Sequence, residues 1–298
     1  MERIIFGDNQ FFGINHSSEE KSRAQALKFR TNQSIVKVLD IIMDEGINTF
    51  MCTTHNRIVD ICETMRSDSR YENLQIYPCL PYAHKYANAM TELGILGTIK
   101  QYVPGNLFST FARGGLAFVK KDFISMMQLL IDAELKMFRG ISTPVIFIQN
   151  VITDLVLGLG MTDFLVAFDK YIREKYHAEP GYITMNLPFL VKTLEKCGIE
   201  NPVICASINK CGFRMSGGKE LYEKTIAERR CRIIAMQVFA AGTIQPHEAL
   251  EYVCEMDGID SILFGASSRT NIHNSIELIE LFSKRKIEKN IPARLHVQ

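Results

Sequence analysis

Three things are scarce in this chain, and each scarcity removes a class of function. Surplus charge is one: 34 Lys and Arg stand against 33 Asp and Glu, for a formal net charge of +1. Nothing in that balance marks a surface for nucleic acid or for an anionic membrane, so neither is expected as a partner. Long apolar runs are another. The longest candidates, such as 151–160, are broken by Asp154 and by glycines and fall far short of a membrane span. The third is signature motifs. No G-x-G-x-x-G follows an early strand, which argues against an open dinucleotide-binding sheet. No H-E-x-x-H pair is present, so spacing announces no metal site. No secretory leader is read ahead of the eight cysteines, and a reducing cytoplasm is the expected location.

What is present is apolar sequence in short, regularly spaced pieces. The 298 residues are 47% hydrophobic, enough for one large core, and a single domain over 1–298 is expected. Strand-like runs are read at 3–7, 47–51, 74–80, 145–148, 182–185, 203–206, 233–239 and 261–264. Each is followed by helical sequence, the clearest helices being expected at 34–45, 57–65, 123–138, 162–176, 189–196, 219–230, 246–254 and 271–282. Eight strand–helix units specify an α/β fold, a (β/α)8 TIM barrel. Residues 85–140 exceed the length a crossover needs and are read as a helical and loop insertion between strands 3 and 4, serving as a lid or as a homo-oligomer contact.

In such a barrel the active site lies at the C-terminal ends of the strands. The rim collected there comprises Asp8, Asn9, Gln10, His16, Cys52, His55, Tyr82, His84, Gln149, Asn150, Asn186, Ser207, Asn209, Lys210, Gln237 and Ser267. Amides dominate, and they suit a small polar substrate that presents hydroxyl, carbonyl or carboxylate oxygens. The run PVICASINKCGFR, 202–214, passes from buried strand directly into polar groups. Lys210 is therefore the first catalytic candidate. In a dry pocket its pKa would fall and it would attack a carbonyl, whereas protonated it would stabilise an oxyanion. Asp8 is the candidate general base, with His16 and His55 as proton shuttles.

The same polar residues admit other readings. Asp8, His16, His55 and His84, with Cys52, offer ligands for a divalent metal, although no metal is assigned. Gly242 and Thr243 after the seventh strand, and Gly265, Ala266 and Ser267 after the eighth, offer backbone amides beside a helix start at Asn271. With Arg269 they form a candidate phosphate site.

Three segments resemble the aldo-keto reductase superfamily. GIDSILFGASSRTNIHNSIELI is similar to that superfamily's closing strand and helix, where the cofactor phosphate is received. TMNLPFLVKTLEKCGIENPVICASINKCGF resembles its fifth- and sixth-strand region, in which an aromatic stacks under the nicotinamide, and EGINTFMCTTH resembles the second-strand segment. The resemblance implies a barrel and use of NADP or NAD. The superfamily's catalytic set is nonetheless missing: Cys52 stands about where an aspartate is expected, no tyrosine follows at the usual distance, and Cys79 and Gln149 occupy the regions of the lysine and the histidine.

Sequence alone therefore favours a cofactor-independent lyase or isomerase acting on a small carbonyl compound through Lys210. The alternative is an NAD(P)H-dependent oxidoreductase with His55 or Tyr82 as an altered acid. A barrel retained only as a binding module is the third possibility.

Overall fold

The computed structural model describes residues 1–14, 18–82 and 116–284, with side chains in the last span from 123 onward. Eight parallel strands close into a barrel in chain order. They are β1 (Ile4–Gly7), β2 (Thr49–Thr53), β3 (Gln75–Leu80), β4 (Val145–Ile148), β5 (Glu179–Thr184), β6 (Val203–Ser207), β7 (Arg232–Met236) and β8 (Ile259–Phe264). β8 returns to pair with β1 through Ile4 opposite Ile262 and Phe6 opposite Phe264. Because all eight run the same way, every strand end predicted to carry chemistry opens on one face.

The helices are α1 (Glu19–Lys28), α2 (Asn32–Asp44), α3 (Asn56–Ser67), α4 (Leu116–Leu135), α5 (Asn150–Gly158), α6 (Thr162–Tyr171), α7 (Leu187–Lys196), α8 (Lys219–Ala227), α9 (Pro246–Glu255) and α10 (Arg269–Phe282). α2 shows why this sequence folds as it does. Ile35, Val38, Leu39, Ile42 and Met43 recur at helical spacing, and all are buried against the strands. Each such side chain contributes about 1.5–3 kcal/mol on leaving water. Thr31 caps the helix by accepting from the Ser34 amide.

Two helices lie outside the periodic pattern. α1 buries none of its residues; the Ser18 hydroxyl caps it, Glu19 and Glu20 fill its first turn and Lys28 its last, so the helix is carried by propensity and end charges. α5 is apolar on its outer side as well, with Val151 and Leu155 half exposed, and no single stripe marks it. The expected insertion is seen only in its later part, where α4 and a short 3-10 turn end at Phe138. The earlier part of the expected insertion, 85–115, falls outside the described residues.

Inside the barrel, Ile5, Met51, Tyr77, Cys79, Val145, Phe147, Ile183, Val203, Cys205 and Ile234 form their own apolar cluster. They come from alternate positions, as the strand period of two requires. Gly181 lies opposite Phe147 on the neighbouring strand. A β-carbon there would stand 2.4 Å from the Phe147 ring, so the ring occupies the room that glycine leaves. Pro78 lies in the second half of β3, opposite Cys52, and pairing of β3 with β4 begins only at Cys79.

Candidate active site at the strand ends

The densest polar chemistry lies where β1, β2 and β3 end. Asp8 follows β1 and is buried; its Oδ2 accepts from both the amide and the hydroxyl of Thr53, each at 2.7 Å. Burial pushes this carboxyl above its ordinary pKa, and the two Thr53 bonds only partly offset that. His55, just past β2, stacks face to face on Phe12 with ring centroids 4.1 Å apart. Tyr82, just past β3, meets the His55 ring edge-on at 5.3 Å.

The protonation states in this group follow from its contacts. His55 Nδ1 accepts from the Arg57 amide at 3.1 Å, so in the neutral ring the proton sits on Nε2. Burial, and then the Arg57 charge, lower the His55 pKa and favour that neutral form. Burial, and then the Asp8 charge, raise the Tyr82 pKa and keep its hydroxyl protonated. Two proton-bearing groups thus sit side by side. Cys52 and Cys79 lie close to Asp8, and burial pushes both thiols well above their usual range, so neither is a nucleophile.

Two residues that hold this face together were not read from sequence. Glu134 on α4 is only 3% exposed, yet its carboxylate accepts from the Thr54 hydroxyl at 2.5 Å and from the Tyr82 amide at 3.1 Å. Asp154 on α5 does the same at β5, accepting from the Thr184 hydroxyl at 2.5 Å and the Met185 amide at 3.0 Å. A signal existed for both. Glu134 falls within the buried stripe Met127, Ile131, Leu135 and Phe138, and Asp154 interrupts an apolar run.

The far side of the mouth corrects the leading expectation. Lys210 is exposed, and its amine pairs with Glu248 on α9 at 2.8 Å. The Glu248 hydrogen bond raises its pKa, the reverse of what a nucleophilic amine needs. Asn209 is buried but serves its own loop: Nδ2 donates to the Phe213 carbonyl, and Oδ1 accepts from the Phe213 amide. The Ser207 hydroxyl lies 2.9 Å from the Phe213 carbonyl and 2.8 Å from Gln237 Oε1. Gln149 is buried with Nε2 on the Cys79 carbonyl. Gln10 Nε2 is likewise spent on the Gly7 carbonyl. Asn9 is exposed, while Asn150 begins α5 and Asn186 precedes α7, both half-buried. His16 and His84 lie outside the described residues. Among those described, no three His, Cys, Asp or Glu side chains cluster to hold a metal.

The candidate phosphate residues divide. In the loop after β7 the Gly242 amide donates to the Phe239 carbonyl and the Thr243 amide to Ala240, so both are already spent. After β8, Ser268 caps α10: its hydroxyl takes the Asn271 amide and its carbonyl the Ile272 amide. The first-turn amides of Arg269 and Thr270 have no intrahelical acceptor. α1 brings two cations alongside. Lys28 Nζ reaches the Ser267 carbonyl at 2.6 Å, and Lys21 Nζ lies 3.9 Å from where a side chain on Gly242 would begin. Gly265 and Ala266 follow β8 directly; a β-carbon on Gly265 would collide with Gln10 Oε1 at 2.1 Å. Arg269 is not part of this group. Its guanidinium turns to Asp44 and Glu45 at the end of α2.

Comparison with known proteins places this architecture. No family model and no curated protein matches the chain. Solved structures do. One, from Pseudomonas aeruginosa and provisionally named an aldo-keto reductase, aligns over 94% of this chain and 90% of its own with TM-score 0.59 and 10% identity. Another, provisionally named a 2,5-diketo-D-gluconic acid reductase B, aligns over 95% and 83% with TM-score 0.56 and 8% identity. The chain shares the barrel fold of these reductases. The expectation of an enzyme without a cofactor is corrected by them: the similar structures carry the names of reductases, and a reductase takes hydride from a donor that no side chain supplies. The lyase or isomerase reading gains no support from either the comparisons or the position of Lys210.

Proposed function

We propose that this barrel is an oxidoreductase that reduces a small polar carbonyl compound with a nicotinamide cofactor, using Tyr82 as proton donor and His55 to orient the carbonyl. The observation that carries the reading is the pair of proton-bearing rings, neutral His55 with its proton on Nε2 and Tyr82 with its hydroxyl, set edge to face at the strand ends near a buried Asp8.

The residues after β8 fit the cofactor's phosphate. The open amides at the start of α10 provide donors, and Lys28 and Lys21 from α1 provide positive charge on the same side. When bound, the nicotinamide would supply hydride to the carbonyl carbon. His55, held neutral, donates from Nε2 to the carbonyl oxygen and withdraws charge from it. Tyr82 is too weak an acid to ionise alone near neutral pH, so it gives its proton only as the oxygen becomes an alkoxide. Solvent then restores the hydroxyl. Phe12 covers one face of the imidazole and limits its rotation. These residues replace, from neighbouring strand ends, the acid and its partner that the superfamily's own positions lack here.

No helix among the described residues is long and apolar enough to cross a membrane. All eight cysteines are free, and a reducing cytoplasm suits eight free thiols.

Titration with NADPH and with NADH, following nucleotide fluorescence, tests the reading together with nucleotide oxidation across a panel of small aldehydes and ketones. Saturable binding with carbonyl-dependent oxidation is the expected result. No binding at millimolar nucleotide overturns it.

A further inference from the structure

The polar group that links His55 to Tyr82 is on neither strand; it comes from α4. Thr54 directly precedes His55, and its hydroxyl donates to Glu134 Oε2 at 2.5 Å. The backbone amide of Tyr82 donates to the same carboxylate, 3.1 Å from Oε2 and 3.3 Å from Oε1. One side chain therefore fixes the backbone at the end of β2 and at the end of β3, in each case at or beside a ring of the proposed pair. Nothing else described makes both contacts.

Glu134 is an expensive way to do this. It is 3% exposed and occupies the stripe through which Met127, Ile131, Leu135 and Phe138 pack α4 on the barrel. A leucine there would complete that stripe, whereas a buried carboxylate is tolerated only because donors meet it. Those donors include both strand ends, Thr54 after β2 and Tyr82 after β3. Asp154 makes the analogous clamp at β5, but on Thr184 and Met185, away from the ring pair. The position of Glu134, rather than the clamp itself, is what links it to chemistry.

We infer that Glu134 is the positioning residue of the active site, setting the distance and angle between His55 and Tyr82 from the outer helix layer. This rests on the reading of those two rings as the carbonyl-binding pair. It also places part of the catalytic geometry under the control of α4. A displacement of about 1 Å between reacting groups costs on the order of a hundred-fold in rate, so a shift of this helix would be felt directly in turnover.

Two substitutions test it. Glu134→Leu fits the apolar stripe and removes both contacts, and Glu134→Gln keeps the shape with an amide acceptor. Each is measured for kcat and nucleotide KM in carbonyl reduction, and for the cross-relaxation between the His55 and Tyr82 ring protons by NMR. In Glu134→Leu we expect kcat to fall roughly a hundred-fold at unchanged nucleotide KM, with thermal stability maintained and the ring-to-ring signal lost. Glu134→Gln should recover part of both. A folded Glu134→Leu protein that keeps its ring-to-ring signal and its kcat overturns the inference. If the wild type reduces no carbonyl compound, the functional reading fails, and the ring signal alone still decides whether Glu134 positions the pair. If Glu134→Leu does not fold, the same signal in Glu134→Gln decides: weakened or shifted supports the role, identical to wild type overturns it.

Discussion

The two sides of the barrel mouth use similar residues to opposite ends. Where β1, β2 and β3 finish, Asp8, His55 and Tyr82 are buried or half-buried, and each has its proton affinity moved by its surroundings. Where β6 and β7 finish, Ser207, Asn209 and Gln237 hydrogen-bond one another or their own loop, and Lys210 pairs in solvent with Glu248. Polar residues at strand ends are thus not equivalent. Saturated with bonds to their own backbone they hold a loop in shape, whereas a proton affinity shifted by burial and neighbouring charge marks a group for chemistry.

This contrast can be broken by substitution, and the largest effect should come from Tyr82→Phe. Loss of a general acid lowers kcat by about 10²–10⁴-fold while leaving the fold intact, as steady-state carbonyl reduction and a melting curve would together show. A silent Tyr82→Phe would remove the distinction between the two sides. The reciprocal change, Asn209→Ala, should act on stability instead. Deleting a buried amide that satisfies its loop costs about 2 kcal/mol, measured by urea unfolding, since Phe213 loses both of its bonds to that side chain and its amide is left unpaired.

Asp8→Asn sharpens the comparison through pH. Because burial raises the Asp8 pKa above 3.8, the carboxyl favours the fold when protonated, and that contribution is lost as pH rises through the raised value. The asparagine oxygen still accepts from Thr53. The variant should therefore melt higher than wild type at neutral pH, with the gap closing as pH falls into the ordinary carboxylate range; a gap that widens on acidification would refute the burial argument. The smallest effect is expected from Lys210→Ala. Its partner is as exposed as it is, and a solvated surface pair contributes little, so turnover and melting temperature should stay close to wild type. A large loss of kcat would return Lys210 to the chemistry.

Much of the architecture could be read from residues alone, though unevenly. Strands such as 145–148 were legible because a buried parallel strand is continuously apolar. α1 was not, since it presents no apolar stripe, and α5 was not, since its apolar residues face both ways. β5 begins earlier than expected, at Glu179, because Pro180 and Gly181 look like a helix stop and are in fact strand residues, the glycine accommodating the Phe147 ring. Within the site, Asp8, His55 and Tyr82 were all named from sequence. Glu134 was not, for its partners are 80 and 52 residues away.

The order of apolar pieces and turns determined the closed barrel and brought the strand ends to one face, since that periodicity is a local property each segment carries with it. Which of the polar groups on that face remain reactive was settled only in three dimensions. The direction a strand-end side chain takes depends on the helix carboxylate that happens to stand across from it. Glu248 holds Lys210 in an exposed pair, while Glu134 pins the ends of β2 and β3 together, and neither effect is written in the spacing of the residues concerned.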